Sequence, residues 1–140
     1  MRQKGLGYIL KRNKRFLLMV LALALPLGCV GCSSGGSPTY DQISGAEAKA
    51  LMDSESGYII IDARTQEEYD QGHIPGAIMI PEYEIADRAE KELPDKDQLI
   101  LVYCRSGRRS KIAAEELVKL GYTNVKEFGG IIDWEYDIVK

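Results

Sequence analysis

Histidine, cysteine and tryptophan are scarce in this chain of 140 residues, which contains one His, three Cys and one Trp. Two of the cysteines, Cys29 and Cys32, stand near the start, so the rest of the chain has one cysteine and one histidine. A zinc ion is held by about three or four such ligands, so we expect no zinc site. The sequence also has no glycine-rich nucleotide-binding motif and no P-loop. It therefore predicts neither a metal nor a cofactor.

Positive charge is scarce in most of the chain as well. The net charge is −3, but residues 1–31 hold six basic residues and no acidic one, which leaves 12 basic against 21 acidic residues from Cys32 onward. This part of the chain, called the body below, is acidic enough to repel a phosphate backbone, so we expect no binding to nucleic acid. With 45% hydrophobic and 28% charged residues, the composition is that of a globular protein. The length allows one domain.

The sequence does not contain a typical transmembrane helix. Its apolar run at residues 16–28 is interrupted by Pro26. A helix of that length covers about 20 Å, whereas the hydrocarbon core of a bilayer is about 30 Å thick. A basic segment followed by a short apolar run and small residues is typical of an export signal. Residues 1–31 are therefore predicted to be an export signal.

The end of this signal carries two cysteines that each follow a glycine, Cys29 and Cys32. It resembles the lipobox of bacterial lipoproteins, in which the cysteine after the cleavage point is acylated. Cys32 is the favoured lipidation site and Cys29 the alternative, because the Ser- and Gly-rich residues 32–39 would form a flexible tether. The resemblance implies an exported domain that a lipid anchors to the bacterial membrane, outside the cytoplasm. An uncleaved anchor or an ordinary secretory signal remains the alternative, since neither cysteine has the usual leucine three positions before it.

Short strands and helices alternate from Tyr40 onward. Continuous apolar runs at residues 58–61 and 98–103 predict central strands that are covered on both faces, and residues 124–128 predict another strand. Helical patterns occupy residues 45–52, 65–71, 82–93, 110–120 and 131–136. Such alternation predicts an α/β domain over residues 40–140 with a mostly parallel sheet.

The carboxyl end of the strand at residues 98–103 carries the most unusual sequence. Cys104 is followed by Gly107, Arg109 and then a predicted helix. Amides of a tight loop and of a helix's first turn together form an anion-binding cradle. Four of the twelve basic residues of the body lie within seven positions here: Arg105, Arg108, Arg109 and Lys111. We therefore expect the Cys104 thiol to ionise more readily than a free cysteine, without His73 as a base.

This loop, YCRSGRRS at residues 103–110, resembles the active-site loop of single-domain rhodaneses, the thiosulfate-type sulfurtransferases. Three further stretches agree with that family in order: IDAR (61–64) with EEY (67–69), GHIPGA (72–77) and FGGIIDW (128–134). The resemblance covers residues 40–136. It implies a rhodanese-like α/β fold with a mostly parallel sheet of about five strands and helices on both faces.

The resemblance also implies an activity, which is sulfur transfer from a small anionic donor to a thiol or cyanide acceptor. The Cys104 thiolate would take the outer sulfur of a donor such as thiosulfate and become a persulfide. The following residues would bind the substrate and the persulfide: Arg105, Ser106, Gly107, Arg108, Arg109 and Ser110. Their amides would hold the terminal sulfur. Arg109 would steady the loop or the donor's sulfonate, and Arg105 and Arg108 would attract anions.

Four residues outside the loop are expected to support it structurally: Asp62, Arg64, Glu68 and His73. Arg64 is expected to pair with a helix carboxylate such as Glu68, and Asp62 to brace neighbouring loops. His73 is expected to be a hydrogen-bonded loop residue rather than an acid or base.

Two other functions remain open at this point. One is a non-catalytic rhodanese-like docking module that binds a partner through the basic loop. The other is a cysteine enzyme of the phosphatase or oxyanion-reductase kind. Cysteine phosphatases of this fold use the wider spacing Cys-x5-Arg, whereas Cys104 and Arg109 stand at Cys-x4-Arg. This shorter loop favours sulfur transfer.

Overall fold

The computed structural model describes residues 39–140. The predicted export signal, both candidate lipidation sites and all but the last residue of the predicted tether lie outside the described residues. Among the helices that are described, none combines the length and the hydrophobicity needed to cross a membrane.

The described chain alternates short strands and helices. In chain order the elements are β1 (Asp41–Gln42), α1 (Gly45–Ser54), β2 (Ile59–Asp62), α2 (Gln66–Gln71), β3 (Ala77–Met79), α3 (Ile85–Glu92), β4 (Ile100–Cys104), α4 (Arg108–Lys119) and β5 (Val125–Gly130). A 3-10 turn at Glu82–Glu84 precedes α3, and another at Ile131–Asp133 follows β5. Ser44 and Thr65 cap α1 and α2 through the capping boxes that their sequences indicate.

The five strands form one sheet in the order β1-β5-β4-β2-β3, and every neighbouring pair is parallel. This confirms the predicted α/β fold. The order places the two strands with the most continuous apolar sequence, β4 and β2, inside the sheet. In their register Asp62 lies opposite Tyr103, so the carboxyl ends of β2 and β4 meet at one edge of the sheet.

Hydrophobic cores lie on both faces of the sheet. Val102 points into a core that contains Ile85 of α3 and Leu117 of α4. The neighbouring Leu101 points into the opposite core, which contains Ala48 of α1. Successive side chains of a strand point to opposite faces, which is why an uninterrupted apolar run predicts a strand covered on both faces. The prediction of helices on both faces is confirmed.

The structure differs from the expected elements in five places. Strands β1 and β3 did not emerge from the sequence pattern, because two and three residues are too few to display a periodicity. Residues 82–93 begin with a 3-10 turn instead of continuing one α-helix. Helix α4 begins at Arg108, two residues before the predicted start, and Gly107 in the left-handed conformation takes the N-cap position. The predicted helix at residues 131–136 is a single 3-10 turn, since the backbone is extended again at Trp134.

Candidate active site

Cys104 is the last residue of β4, and a short loop leads from it into α4. Gly107 takes a φ of 95°, a conformation that favours glycine, and α4 begins directly after it. The Gly107 N–H donates to Cys104 Sγ at 3.0 Å, and Ser110 Oγ lies 3.4 Å from the same sulfur. Cys104 itself is 1% exposed. The sulfur is therefore buried, but it lies among polar hydrogens.

This environment lowers the pKa of the Cys104 thiol. Burial has the largest single effect and raises the pKa, because it disfavours a charged sulfur. Hydrogen bonds from the Ser110 hydroxyl and from the amides of Ser110, Ser106 and Gly107 act in the opposite direction and together outweigh burial. The loop amides thus favour the thiolate, which is the nucleophilic form of cysteine.

Arg109 connects the loop to α2. Its two terminal nitrogens donate to the Glu68 carboxylate at 2.6 and 2.8 Å. The hydrogen bond from Arg109, the largest effect, helps to lower the pKa of Glu68 to about 2. Glu68 also completes the capping box with Thr65. Of the two roles expected for Arg109, the structure places the side chain where it steadies the loop, while Arg105 and Arg108 are exposed.

Next to the loop lies a buried polar pair, Ser110 and Glu127, that the sequence did not reveal. Ser110 is fully buried and Glu127 of β5 is 3% exposed. Ser110 Oγ lies 2.6 Å from Glu127 Oε1, which also accepts a hydrogen bond from the Gly129 amide at 2.8 Å. The sequence signal for Glu127 is weak, since only its position inside a short predicted strand separates it from the surface glutamates.

The Gly129-Gly130 pair brings β5 close to the loop. A Cβ added to Gly130 would meet the carbonyl of Arg105 and would lie 2.6 Å from Ser106 Cα. Such a contact is too close for any side chain, so glycine is required at this position. The amide of Ile132 then donates to the Arg105 carbonyl at 3.3 Å. The FGGIIDW stretch therefore supports the back of the loop.

Asp62 and Arg64 form a buried ion pair beneath the site. Arg64 donates to both carboxylate oxygens of Asp62 and, at 2.7 Å, to the carbonyl of Gly72. The Tyr103 hydroxyl donates to Asp62 at 2.6 Å and accepts from the Ile74 amide at 3.1 Å. The expected pairing of Arg64 with Glu68 is wrong. The Arg64 backbone amide also binds Asp62, so the turn between them holds these two side chains together.

His73 lies in the loop between α2 and β3, away from the hydrogen bonds around the sulfur. Its ring stacks on Tyr69 at 3.7 Å, and its Nδ1 lies 3.0 Å from the Tyr69 carbonyl. Its backbone pairs with Val139 in an antiparallel bridge. These contacts are those of a hydrogen-bonded loop residue.

A cavity of about 440 Å³ borders the loop at Arg105. Its lining combines the side chains of Arg64 and Glu68 with the apolar Ile131, Ile132 and others. The exposed Arg105, which lines this cavity, and the exposed Arg108 beside it in the sequence of the loop offer positive charge to a small anion that approaches. The arrangement thus supplies a cysteine with a lowered pKa, amide donors for a negative atom, and cationic side chains outside.

Comparison with known proteins agrees with this geometry. The Rhodanese-like domain family matches residues 44–137, which is more than half of the chain. Thiosulfate sulfurtransferase PspE of Escherichia coli (strain K12) is 45% identical over 80 residues, which cover 57% of this chain and 77% of that protein. A sulfurtransferase of Allochromatium vinosum is 41% identical over 88 residues, covering 62% of this chain and 79% of that protein.

A solved structure described as a rhodanese with anions from E. coli superposes with a TM-score of 0.56 and 42% sequence identity, covering 59% of this chain and 98% of that chain. The family match spans every described strand except β1, together with the cysteine loop. The resemblance seen in the four sequence motifs is confirmed, and the chain belongs to the rhodanese-like domain family.

Proposed function

We propose that this protein is a rhodanese-type sulfurtransferase that carries sulfane sulfur as a persulfide on Cys104. The observation that supports this most directly is the 3.0 Å hydrogen bond from the Gly107 amide to Cys104 Sγ. An amide directed at the sulfur favours the thiolate before reaction and a negatively charged terminal sulfur after it. The named sulfurtransferases among the relatives support the same activity.

The proposed reaction has two steps. In the first, the Cys104 thiolate attacks the outer sulfur of thiosulfate, a new S–S bond forms, and sulfite leaves with the electron pair of the bond that breaks. In the second, a nucleophile such as cyanide or a thiolate attacks the terminal sulfur, and Cys104 leaves as a thiolate. Splitting the transfer in this way is nucleophilic catalysis through a covalent intermediate.

The contacts of Arg109 argue against phosphatase activity. A cysteine phosphatase uses its loop arginine to bind a tetrahedral phosphate, whereas both terminal nitrogens of Arg109 are held by Glu68. The four-residue spacing between Cys104 and Arg109 also makes a tighter loop than phosphate needs. A single sulfur atom on Cys104 requires less space.

The test is mass spectrometry of the reduced protein after treatment with thiosulfate. The expected result is an increase by the mass of one sulfur atom on Cys104 that cyanide removes while thiocyanate is released. A folded, reduced protein that takes up no sulfur from any sulfane donor would instead favour the docking module. Turnover of an aryl phosphate without any turnover of thiosulfate would favour a phosphatase.

We also propose that the domain works outside the cytoplasm on an N-terminal lipid tether. The support comes from the sequence of residues 1–31 and the small residues around Cys32. Mass spectrometry of the mature protein from a bacterial membrane fraction is expected to find an acylated cysteine, Cys32 or Cys29, as the first residue. A mature chain that starts at Met1 or at any residue other than cysteine would contradict lipidation.

A further inference from the structure

The Ser110 hydroxyl lies between the nucleophile and a buried carboxylate. Its Oγ is 3.4 Å from Cys104 Sγ and 2.6 Å from Glu127 Oε1. The other two oxygens near it, the carbonyls of Gly107 and Gly129, can only accept hydrogen bonds. Since a hydroxyl has one proton, Ser110 can donate to the sulfur or to the carboxylate, but not to both.

Glu127 has few other partners. It is 3% exposed, and its Oε1 accepts from the Gly129 amide. None of the ion pairs in residues 39–140 includes it. A buried carboxylate without a cation is costly, and a second negative charge on Cys104 one hydroxyl away would add to that cost.

The hydrogen-bond lengths indicate which arrangement goes with which charge. The short contact to Glu127 is the stronger of the two, so with an ionised Glu127 the Ser110 hydroxyl donates to the carboxylate and its oxygen accepts from the Cys104 S–H. A Cys104 thiolate needs the opposite arrangement. Ser110 then donates to the sulfur, and Glu127 Oε1 must carry a proton to remain bonded to Ser110.

We propose that Cys104 and Glu127 share one proton through Ser110. When the Cys104 S–H bond breaks, its proton passes to Ser110 Oγ, and the proton of Ser110 passes to Glu127 Oε1. No electrons change hands with another group, and the three residues keep one negative charge throughout. The inference rests on the proposed function in that it says where the proton of the nucleophile goes. Glu127 acts on the sulfur through Ser110 and is therefore a positioning residue.

Other charged and titratable groups surround this unit and stay the same in the variants described below. Arg109 with its partner Glu68 faces Cys104 from α4 and α2. Tyr40 and Glu115 lie near Glu127. Burial has the largest effect on the pKa of Tyr40 and raises it, and the charges of Glu115 and Glu127 raise it further. On the sheet edge, Asp41 pairs with Lys126. The remaining cations of the loop, Arg105 and Arg108, are exposed.

The first test measures the alkylation rate of Cys104 against pH in the wild-type protein and in Glu127→Gln, which keeps the shape but takes up no proton. We expect a broad, two-step rise of the thiolate in the wild type, because the two sites are coupled. In Glu127→Gln we expect a single step and roughly tenfold more thiolate at pH values between the two wild-type steps, because the competing carboxylate is gone. The matched control is Glu90→Gln, an exposed glutamate in an ion pair, and its profile should equal that of the wild type.

Ser110→Ala removes the link between the two groups. In that background the further change Glu127→Gln should alter the thiolate profile by less than about twofold, since only a weaker charge effect through space remains. An effect as large as in the presence of Ser110 would mean that Glu127 acts by its charge alone. A Glu127→Gln profile that coincides with the wild-type profile would overturn the shared proton altogether.

The second test looks for the proton on Glu127 directly and does not depend on a folded Glu127 variant. In infrared difference spectra across the pH titration, the wild type should keep part of the carbonyl band of a protonated carboxyl group between its two steps. Cys104→Ser should lose that band in a single step at lower pH, and loss of the band at the same pH in both proteins would contradict the inference. Neither readout uses a sulfur donor. The band without persulfide formation would therefore leave the inference intact and reject the proposed function.

Discussion

Replacing Cys104 by serine is expected to lower the rate of sulfur transfer from thiosulfate to cyanide by roughly a thousandfold or more. The serine hydroxyl does not ionise near neutral pH, so it cannot attack the outer sulfur, and no persulfide can form on it. We expect the fold to survive, because serine is close to cysteine in size and its oxygen can accept the hydrogen bond from the Gly107 amide. The measurement is thiocyanate production, together with the mass of the protein after thiosulfate treatment.

The matched control for this variant is Ser54→Ala at the end of α1, outside the cysteine loop. Ser54 is exposed, and its hydroxyl donates to the Ala50 carbonyl of its own helix. Its rate should stay within about threefold of the wild type, since exposed polar substitutions away from special contacts have small effects. Substantial turnover by Cys104→Ser would show that the sulfur does not pass through Cys104.

Removing the buried guanidinium in Arg64→Met is expected to lower the free energy of unfolding by about 3–5 kcal/mol. The variant leaves the Asp62 carboxylate, which is fully buried, without its cation, and it also removes the hydrogen bond to the Gly72 carbonyl. These contacts join the end of β2 to the loop before β3. Urea unfolding followed by far-ultraviolet circular dichroism measures the loss.

Arg88→Met is the matched control, because Arg88 forms two ion pairs on the surface of α3 with Glu84 and Glu92. Such pairs contribute about 1 kcal/mol or less. The double variant Asp62→Asn with Arg64→Met should recover part of the loss, since it removes the unpaired charge. Equal losses in Arg64→Met and Arg88→Met would mean that the buried pair does not stabilise the fold as its geometry indicates.

The features that could be predicted from the sequence are those encoded over a few neighbouring residues. The capping residues Ser44 and Thr65 stand next to their helices, and the apolar runs of β2 and β4 are long enough to indicate strands covered on both faces. The cysteine loop is also local, since the Gly107 amide that donates to the sulfur lies three residues after Cys104.

The features that escaped prediction depend on which side chains meet across the sheet. Glu127 lies next to β4 only because its strand, β5, pairs with β4. The contact between Glu127 and Ser110 spans 17 residues of sequence. The partner of Arg64 depends on the fold for a related reason. Asp62 and Glu68 are both close to Arg64 in sequence. Glu68 instead pairs with Arg109, which lies 41 residues further along the chain in α4.

The most direct test of this account is the pKa of the Cys104 thiol in the wild-type protein, measured as the pH dependence of its alkylation rate. Burial alone would raise this pKa, whereas the hydrogen bonds of the loop outweigh burial and lower it. We therefore predict that the thiolate forms at lower pH than in an unfolded control peptide with the same loop sequence. A thiol that ionises only at the pH of the control peptide or above it would contradict the proposal that this loop prepares Cys104 for sulfur transfer.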